Sequence, residues 1–337
     1  MVVIGASAGG MPAIQRLLQK LPSKVNAAVF VVLHLSLRSN ARVIASAIQK
    51  TTGLICTVPE SGQVIENGHL YLAPQNQHML IKENKILIHQ GARENKYRPS
   101  IDVLFRSAAV EYGPRVIGII LTGLLDDGTS GMMAIKRCGG VCVVQDPLEA
   151  QFSDMPQSVL NHIRADYQLK LADMGNVLEQ VLDLPVRERI PVPREIQIEA
   201  DITASMTSST NGIKAIADHT DFTCLECGGG LWAIRKDPLH RYRCHTGHVY
   251  TERMLYEAQA IELEESVWVS IRMLEERRNL VLLMAANADE RTNATLAADN
   301  RQRADELDRH IKTLKVLLDK ITKDADPPGE TGNGENH

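Results

Sequence analysis

Ser7 stands in Gly5-Ala6-Ser7-Ala8-Gly9-Gly10, directly after the apolar stretch Val2-Val3-Ile4 and ahead of a segment that reads as a helix. The spacing matches the G-x-S-x-G elbow, in which a strand turns sharply into a helix and exposes a serine hydroxyl as a nucleophile. Glycines permit such a bend, and the amides that follow, beginning with Ala8, can converge on an oxyanion at a helix N-terminus. Such a loop also suits a phosphate, so its meaning depends on whether a base and an acid occur in equivalent places. His34 ends the apolar run Val31-Val32-Leu33, and Asp126-Asp127-Gly128 closes a segment that begins Leu121-Thr122-Gly123. All fall just past the carboxyl ends of expected parallel strands, the edge where open α/β sheets bind ligands. The chemistry is then acyl transfer: Ser7 attacks, His34 takes its proton, and one of the two aspartates fixes the imidazole. Plainer readings exist, because strand-end histidines are often structural and Asp-Gly often marks a turn.

A second constellation lies far downstream. Cys224-Leu225-Glu226-Cys227 is followed by Arg243-Cys244-His245-Thr246-Gly247-His248. Two close pairs of soft or borderline ligands suit a tetrahedral structural zinc in a ribbon, held by Cys224, Cys227, Cys244 and His248. His245 is the alternative fourth ligand, disfavoured because its neighbour Cys244 already binds. A ribbon held by Trp232 and Tyr242 without metal is the plainer reading. Four protein ligands leave no open position, so no cofactor is expected in catalysis. Cys56, Cys138 and Cys142 read as buried reduced thiols, which favours a reducing cytoplasm.

The elements that must position these residues follow from pattern. Ala28 to Leu33, Val116 to Leu121 and Val141 to Val144 are continuous apolar runs, as in strands buried on both faces. They alternate with helix-like segments such as Gly131 to Arg137, so residues 1–182 read as a doubly wound, mostly parallel α/β sheet. His69 to Ala73 and Lys85 to His89 are expected to pair as a hairpin. Residues 183–217, with Pro185, Pro191 and Pro193 and then Thr207-Ser208-Ser209-Thr210-Asn211-Gly212, read as a linker with a short strand or helix near Glu195 to Met206. Residues 218–251 hold the ribbon. Residues 252–323 read as a helical hairpin or coiled coil, with one stripe at Ile261, Trp268, Ile271 and Leu274. The other runs through Leu307, Ile311, Leu314, Leu318 and Ile321, and the turn falls around Asn287 to Asn293. Residues 324–337 read as a disordered tail.

The chain has 337 residues, 44% hydrophobic and 23% charged, and a formal net charge of −4. That balance gives no electrostatic case for nucleic acid or an anionic membrane. No apolar run approaches the roughly 20 residues of a membrane span, and no signal segment opens the chain.

The order Ser…His…Asp differs from that of ordinary α/β-hydrolases, in which the acid precedes the histidine. Residues 2–180 instead resemble the effector domain of the CheB family, the chemotaxis protein-glutamate methylesterases and glutamine deamidases. The likeness is carried by the Ser7 loop, Leu33-His34, Tyr71-Leu72-Ala73-Pro74, Gln77-His78-Met79 and Arg98-Pro99-Ser100-Ile101-Asp102-Val103-Leu104-Phe105. It continues through Leu121-Thr122-Gly123, Asp127-Gly128, Gly131-Met132, Gln145-Asp146, Phe152 and Met155-Pro156. The resemblance implies hydrolysis of a γ-glutamyl methyl ester through an acyl-enzyme, and assigns the acid to Asp127 rather than Asp126. It also implies substrates among chemoreceptor-like signalling proteins, a methyltransferase counterpart and a place in phosphorelay signalling.

Three departures from the family accompany it. Ala8 replaces a usual threonine. Leu124-Leu125 replaces Met-Gly, and a leucine resists positive φ, which bears on any Leu124 amide aimed at the oxyanion. A receiver domain, common in the family, does not precede the module, so either regulation differs or the sequence starts within a longer product. Arg98 and His78 are expected to border the substrate, with a salt-bridging role for Arg98 as the alternative. Some family members carry a similar cysteine-rich and helical extension, and the helices here could dock a partner or self-associate. Two competing readings are a non-catalytic signalling adaptor and a nucleotide-binding domain, the second lacking an acid about 20 residues on for a ribose.

Overall fold

The computed structural model describes residues 1–21, 25–36, 38–206 and 210–324. The expected tail beyond 324 and Thr207-Ser208-Ser209 of the expected linker lie outside these residues. In chain order the elements begin β1 (Val2–Ala6), α1 (Gly10–Leu18), β2 (Val29–Leu33), α2 (Ala41–Gln49), β3 (Ile55–Thr57), β4 (His69–Leu72), β5 (His78–Lys82) and β6 (Lys85–His89). Then come α3 (Ile101–Tyr112), β7 (Ile117–Ile120), α4 (Thr129–Arg137), β8 (Val141–Gln145), α5 (Asp154–His162), β9 (Tyr167–Leu169) and α6 (Leu171–Asp183). The rest are α7 (Arg194–Ser205), α8 (Thr210–Ile216), β10 (Ala217–Thr223), β11 (Gly230–Ile234), β12 (Tyr242–Cys244), β13 (Val249–Tyr250), α9 (Glu252–Glu290) and α10 (Ala294–Asp324).

Seven strands form one sheet in the order β3-β4-β2-β1-β7-β8-β9, and every pair in it is parallel. The apolar runs become its interior. Val2, Ile4 and Ala6 of β1 face the core shared with α1, α2 and α6, while Val3 faces the core of α3, α4, α5 and α7. Fully burying one such Val or Ile stabilises by about 1.5–3 kcal/mol, which fixes the register of the central strands. After β1 the chain builds outward to β2, then crosses to the other side of β1 at β7. That reversal opens the crevice at the carboxyl ends of β1 and β7.

Two expectations are corrected. Lys85–His89 does form a hairpin, but with β5, while His69–Leu72 joins the parallel sheet beside β2 and β3. The hairpin turn is Glu83-Asn84, both at positive φ (51° and 58°), as a tight two-residue turn demands. In the helical pair, Ile261 and Trp268 are about half exposed (56% and 51%). The buried seam joins Val267 and Ile271 to Ile311 and Leu318, flanked by Leu274, Leu314 and Ile321. The turn between the helices falls at Thr292 (φ 55°), and the Asn293 side chain accepts from the Leu296 amide.

Residues 1–252 form one compact unit, and the described residues from 253 onward belong to a second. Within the first, α7 packs on α3 and a four-stranded antiparallel sheet, β10-β11-β12-β13, carries the cysteine cluster. No helix among the described residues is long and apolar enough to cross a membrane.

Candidate active site and metal centre

Ser7, His34 and Asp127 lie beyond the ends of three adjacent central strands, β1, β2 and β7. Backbone bonds lock these ends together: the His34 amide donates to Ala6 O (3.1 Å) and the Ser7 amide to Thr122 O (3.0 Å). Gly9 takes φ 70° at the N-cap of α1, which the elbow requires. Gly123 must lack a side chain, since a Cβ there would stand 2.9 Å from the Ser7 Cβ and 2.0 Å from the Met155 sulfur. Among the described residues, the amides of Ala8 and Leu124 have no protein acceptor. Leu125 adopts φ 64° despite its side chain. The expected resistance of leucine is overcome because the loop is fixed at both ends, by Gly123 on Phe152 O and by the Leu125 amide toward Asp154.

His34 Nε2 lies 2.8 Å from Asp127 Oδ2, and its ring stacks on Tyr97 at 3.6 Å and 12°. Its other nitrogen, Nδ1, is buried and has no partner among the described residues. No Ser7–His34 hydrogen bond is made there, and such bonds commonly close only with substrate in place. Asp127 is fully buried and accepts from five donors: His34, Asn95 Nδ2 (3.0 Å), Ser100 Oγ (2.8 Å), and the amides of Ile101 (2.7 Å) and Asp102 (3.3 Å). It thus caps α3 from afar, placing its charge at a helix N-terminus. Burial alone would push its carboxyl up; the bonds from His34, Ile101 and Asn95 outweigh that and hold it below its ordinary value. Neighbouring Asp102 is pushed well above its ordinary value by burial and by the Asp127 charge. Asn95 lies between them, donating to both. Asp126 instead accepts from Thr251 Oγ (2.7 Å).

The two residues expected to border the substrate sit differently. His78 is wholly buried, with Nε2 against Ala92 O (2.9 Å) and Nδ1 accepting from the Ser100 amide (3.3 Å). It shapes the loop that precedes α3 and touches no open surface. Arg98 donates to Asn76 Oδ1 (2.8 and 3.0 Å) and Gly91 O (2.8 Å), so its guanidinium ties loops together. Asn95, Tyr97 and Ser100 were missed by sequence reasoning. Ser100 alone had a local signal, as an N-cap residue type before a helical run.

The ligand atoms of Cys224, Cys227, Cys244 and His248 all lie within 4.8 Å of one another and could hold a metal ion. Cys227 Sγ–Cys244 Sγ is 3.7 Å, and His248 Nδ1 is 3.6 Å from the sulfurs of Cys224 and Cys244. Tetrahedral bonds of about 2.0–2.3 Å require ligand separations of about 3.5–3.7 Å, so the residues fit such an ion. His245 is exposed and outside the cluster. Glu226 holds the far side of His248, Oε2 lying 3.3 Å from Nε2, and Tyr250 Oη lies 3.5 Å from Cys224 Sγ. Such outer partners would orient the ligands of a bound ion.

A doubly wound parallel sheet with a serine loop at its switch point and a carboxylate-held histidine on the next strand end has the layout expected of a serine hydrolase, in a chain order unlike that of ordinary α/β-hydrolases. The family model for CheB methylesterase matches residues 2–178, and the chain belongs to that family. It is 39% identical over 177 residues to a Leptospira interrogans protein provisionally described as a protein-glutamate methylesterase/protein-glutamine glutaminase, covering 52% of this chain and 91% of that protein. It is 33% identical over 186 residues to the Salmonella typhi protein-glutamate methylesterase/protein-glutamine glutaminase, covering 54% of this chain but only 52% of that one. The crystal structure of the Thermotoga maritima CheB methylesterase catalytic domain matches with a TM-score of 0.51 and 29% identity, over 55% of this chain and 97% of that domain. The phosphorelay expectation has no support from these matches, which cover the catalytic part alone.

Proposed function

We propose that the catalytic domain, residues 1–182, is a serine esterase that removes methyl groups from glutamate side chains of chemoreceptor-like signalling proteins, with glutamine deamidation as the companion reaction. His34 carries the reading: one ring nitrogen is held by a buried carboxylate and the other is free, on the strand end bonded to the serine loop. With Nε2–H donated to Asp127, Nδ1 is the basic nitrogen. It takes the Ser7 proton as Oγ attacks the glutamyl carbonyl, and the amides of Ala8 and Leu124 receive the oxyanion. The imidazolium, stabilised by Asp127, gives the proton to the departing oxygen as the tetrahedral intermediate collapses, so that it leaves as methanol, or to the departing nitrogen of an amide, which leaves as ammonia. Water activated by the same nitrogen then releases the glutamate and frees Ser7.

The cysteine cluster is read as a closed structural zinc site in a module of residues 218–251, and residues 252–323 as a helical pair. Val269, Met273, Leu280 and Leu283 are exposed on α9 and form a second apolar seam, which favours self-association. A cytoplasmic place goes with such substrates.

Methanol release from methyl-esterified chemoreceptor tests the assignment. Release by the parent that falls at least about 10³-fold in Ser7→Ala is expected. No release by the parent, with a fluorophosphonate probe failing to label Ser7, would leave a non-catalytic adaptor as the better account.

A further inference from the structure

The metal module sits against the segment that grips the catalytic pair. On one side of Arg93–Tyr97, β13 runs alongside: the Val249 amide donates to Arg93 O (3.2 Å) and the Asn95 amide donates to Val249 O (2.9 Å). Val249 directly follows the metal-site residue His248. Arg243, next to Cys244, reaches the buried Glu94 carboxylate (3.0 Å). On the other side, the Asn95 side chain donates to Asp127 and the Tyr97 ring stacks on His34. A second tie runs from Thr251 to Asp126, the neighbour of Asp127.

The segment has little intrinsic preference for this path. Asn95 and Lys96 both take positive φ (55° and 65°), a conformation that persists in non-glycine residues only when the surroundings enforce it. β13 holds it on one side, beside the Glu94 ion pairs and the Asn95 bonds to Asp102 and Asp127, and the turn from Cys244 to His248 that leads into β13 carries two of the four candidate metal ligands.

We propose that metal bound at Cys224, Cys227, Cys244 and His248 sets the turnover of the esterase site, by holding β13 and through it Asn95 and Tyr97 on Asp127 and His34. The inference rests on the esterase reading above. Asn95 and Tyr97 are positioning residues: they touch the acid and the base, not the substrate. Without the metal, the Cys244–His248 turn slackens and the segment relaxes. Asp127 then loses a donor and His34 its stacked partner, while the surface that meets the substrate is unchanged.

The test uses the full chain, with zinc content measured by mass spectrometry. Removing zinc with a chelator should lower kcat about 10-fold or more with KM little changed, and zinc should restore it. Asn95→Gly keeps the positive φ accessible and deletes only the side chain. It should keep its zinc and fold, show a similar loss in kcat, about 10–100-fold for one bond to a charged group, and lose little more when stripped. That non-additivity marks a shared route. Unchanged kcat in folded, zinc-free protein would overturn the proposal, as would independent, multiplying losses in the two arms. If the stripped protein unfolds, the zinc-loaded Asn95→Gly arm decides: normal kcat there overturns the coupling. A parent that neither releases methanol nor labels at Ser7 fails the esterase reading itself, and this inference with it.

Discussion

Two buried acid centres meet at adjacent residues, Glu94 of one and the Asn95 that donates to Asp127 of the other, and are built oppositely. Asp127 is held by a histidine, an asparagine, a hydroxyl and two amides, with no guanidinium or ammonium among its hydrogen-bond donors. Glu94 and Glu199 are held by guanidinium groups: Arg106 and Arg243 on Glu94, Arg106 and Arg241 on Glu199, at 2.7–3.0 Å. Dipoles keep a carboxylate ionised without cancelling its charge, so Asp127 can still act on His34. Full cations neutralise it, so Glu94 and Glu199 fasten α3, α7 and the antiparallel sheet that carries the cysteine cluster together. Burial is the same; the partners decide whether the charge does chemistry or joins elements.

The sharpest way to break this contrast is to neutralise each acid in turn. Asp127→Asn should lower kcat by about 10⁴-fold, because the amide can hold the imidazole in the wrong tautomer. Glu199→Gln should leave kcat nearly unchanged and lower stability by about 3–5 kcal/mol, because Arg106 and Arg241 lose a buried counter-charge. That corresponds to a fall in Tm of about 10 °C for a unit of this size. Methanol-release kinetics and thermal unfolding of both variants check the pair. Equal effects of the two on kcat would erase the distinction.

Acid should separate the centres more gently. Asp127, Glu94 and Glu199 are all held below their ordinary carboxyl values. Their contribution is therefore complete above the ordinary carboxylate range and lost as pH falls through the folded values. His78 acts earlier. Burial pushes it down from 6.5 to about 4, so below pH 6.5 the unfolded chain takes up a proton that the native chain refuses. Tm should thus fall from about pH 6.5 to 4 and more steeply below. His78→Asn should flatten the upper part alone; an unchanged slope there would remove His78 as its cause.

The sequence showed the catalytic edge more clearly than its supports. Ser7, His34 and the Asp126-Asp127 pair each come after an apolar run, so strand periodicity brings them to one edge, while the family resemblance singles out Asp127, and the cysteine spacing brings the candidate metal ligands together. Asn95, Tyr97 and Glu226 act through contacts with distant partners, and nothing in their neighbours announces that. Residues 183–217 read as a linker because charge alternates with proline there. Yet Glu199 within them is buried, since hydropathy cannot tell a solvated glutamate from one paired with two arginines. The hairpin differs from the expected one for a local reason: Glu83-Asn84 reverses the chain with both residues at positive φ, so Lys85–His89 pairs with His78–Lys82 just before it.

The smallest expected effect concerns the backbone of the catalytic edge, where strain takes the place that ion pairs hold at the Glu94 junction. Leu125 takes φ 64° one residue after the Leu124 amide assigned to the oxyanion. Glycine at 125 removes a strain of about 1 kcal/mol but gives the unfolded chain more freedom, by about 0.5–1 kcal/mol, and gives up a half-buried side chain. Leu125→Gly should therefore shift Tm by only a few degrees, with kcat preserved because the loop path is kept. Leu125→Val keeps a side chain but adds β-branching, which is least tolerated at positive φ, and should cost both stability and kcat. Thermal unfolding and kcat of the two variants decide the matter. If valine is tolerated as well as glycine, the loop does not hold this conformation, and the Leu124 amide loses its assigned place in the oxyanion site.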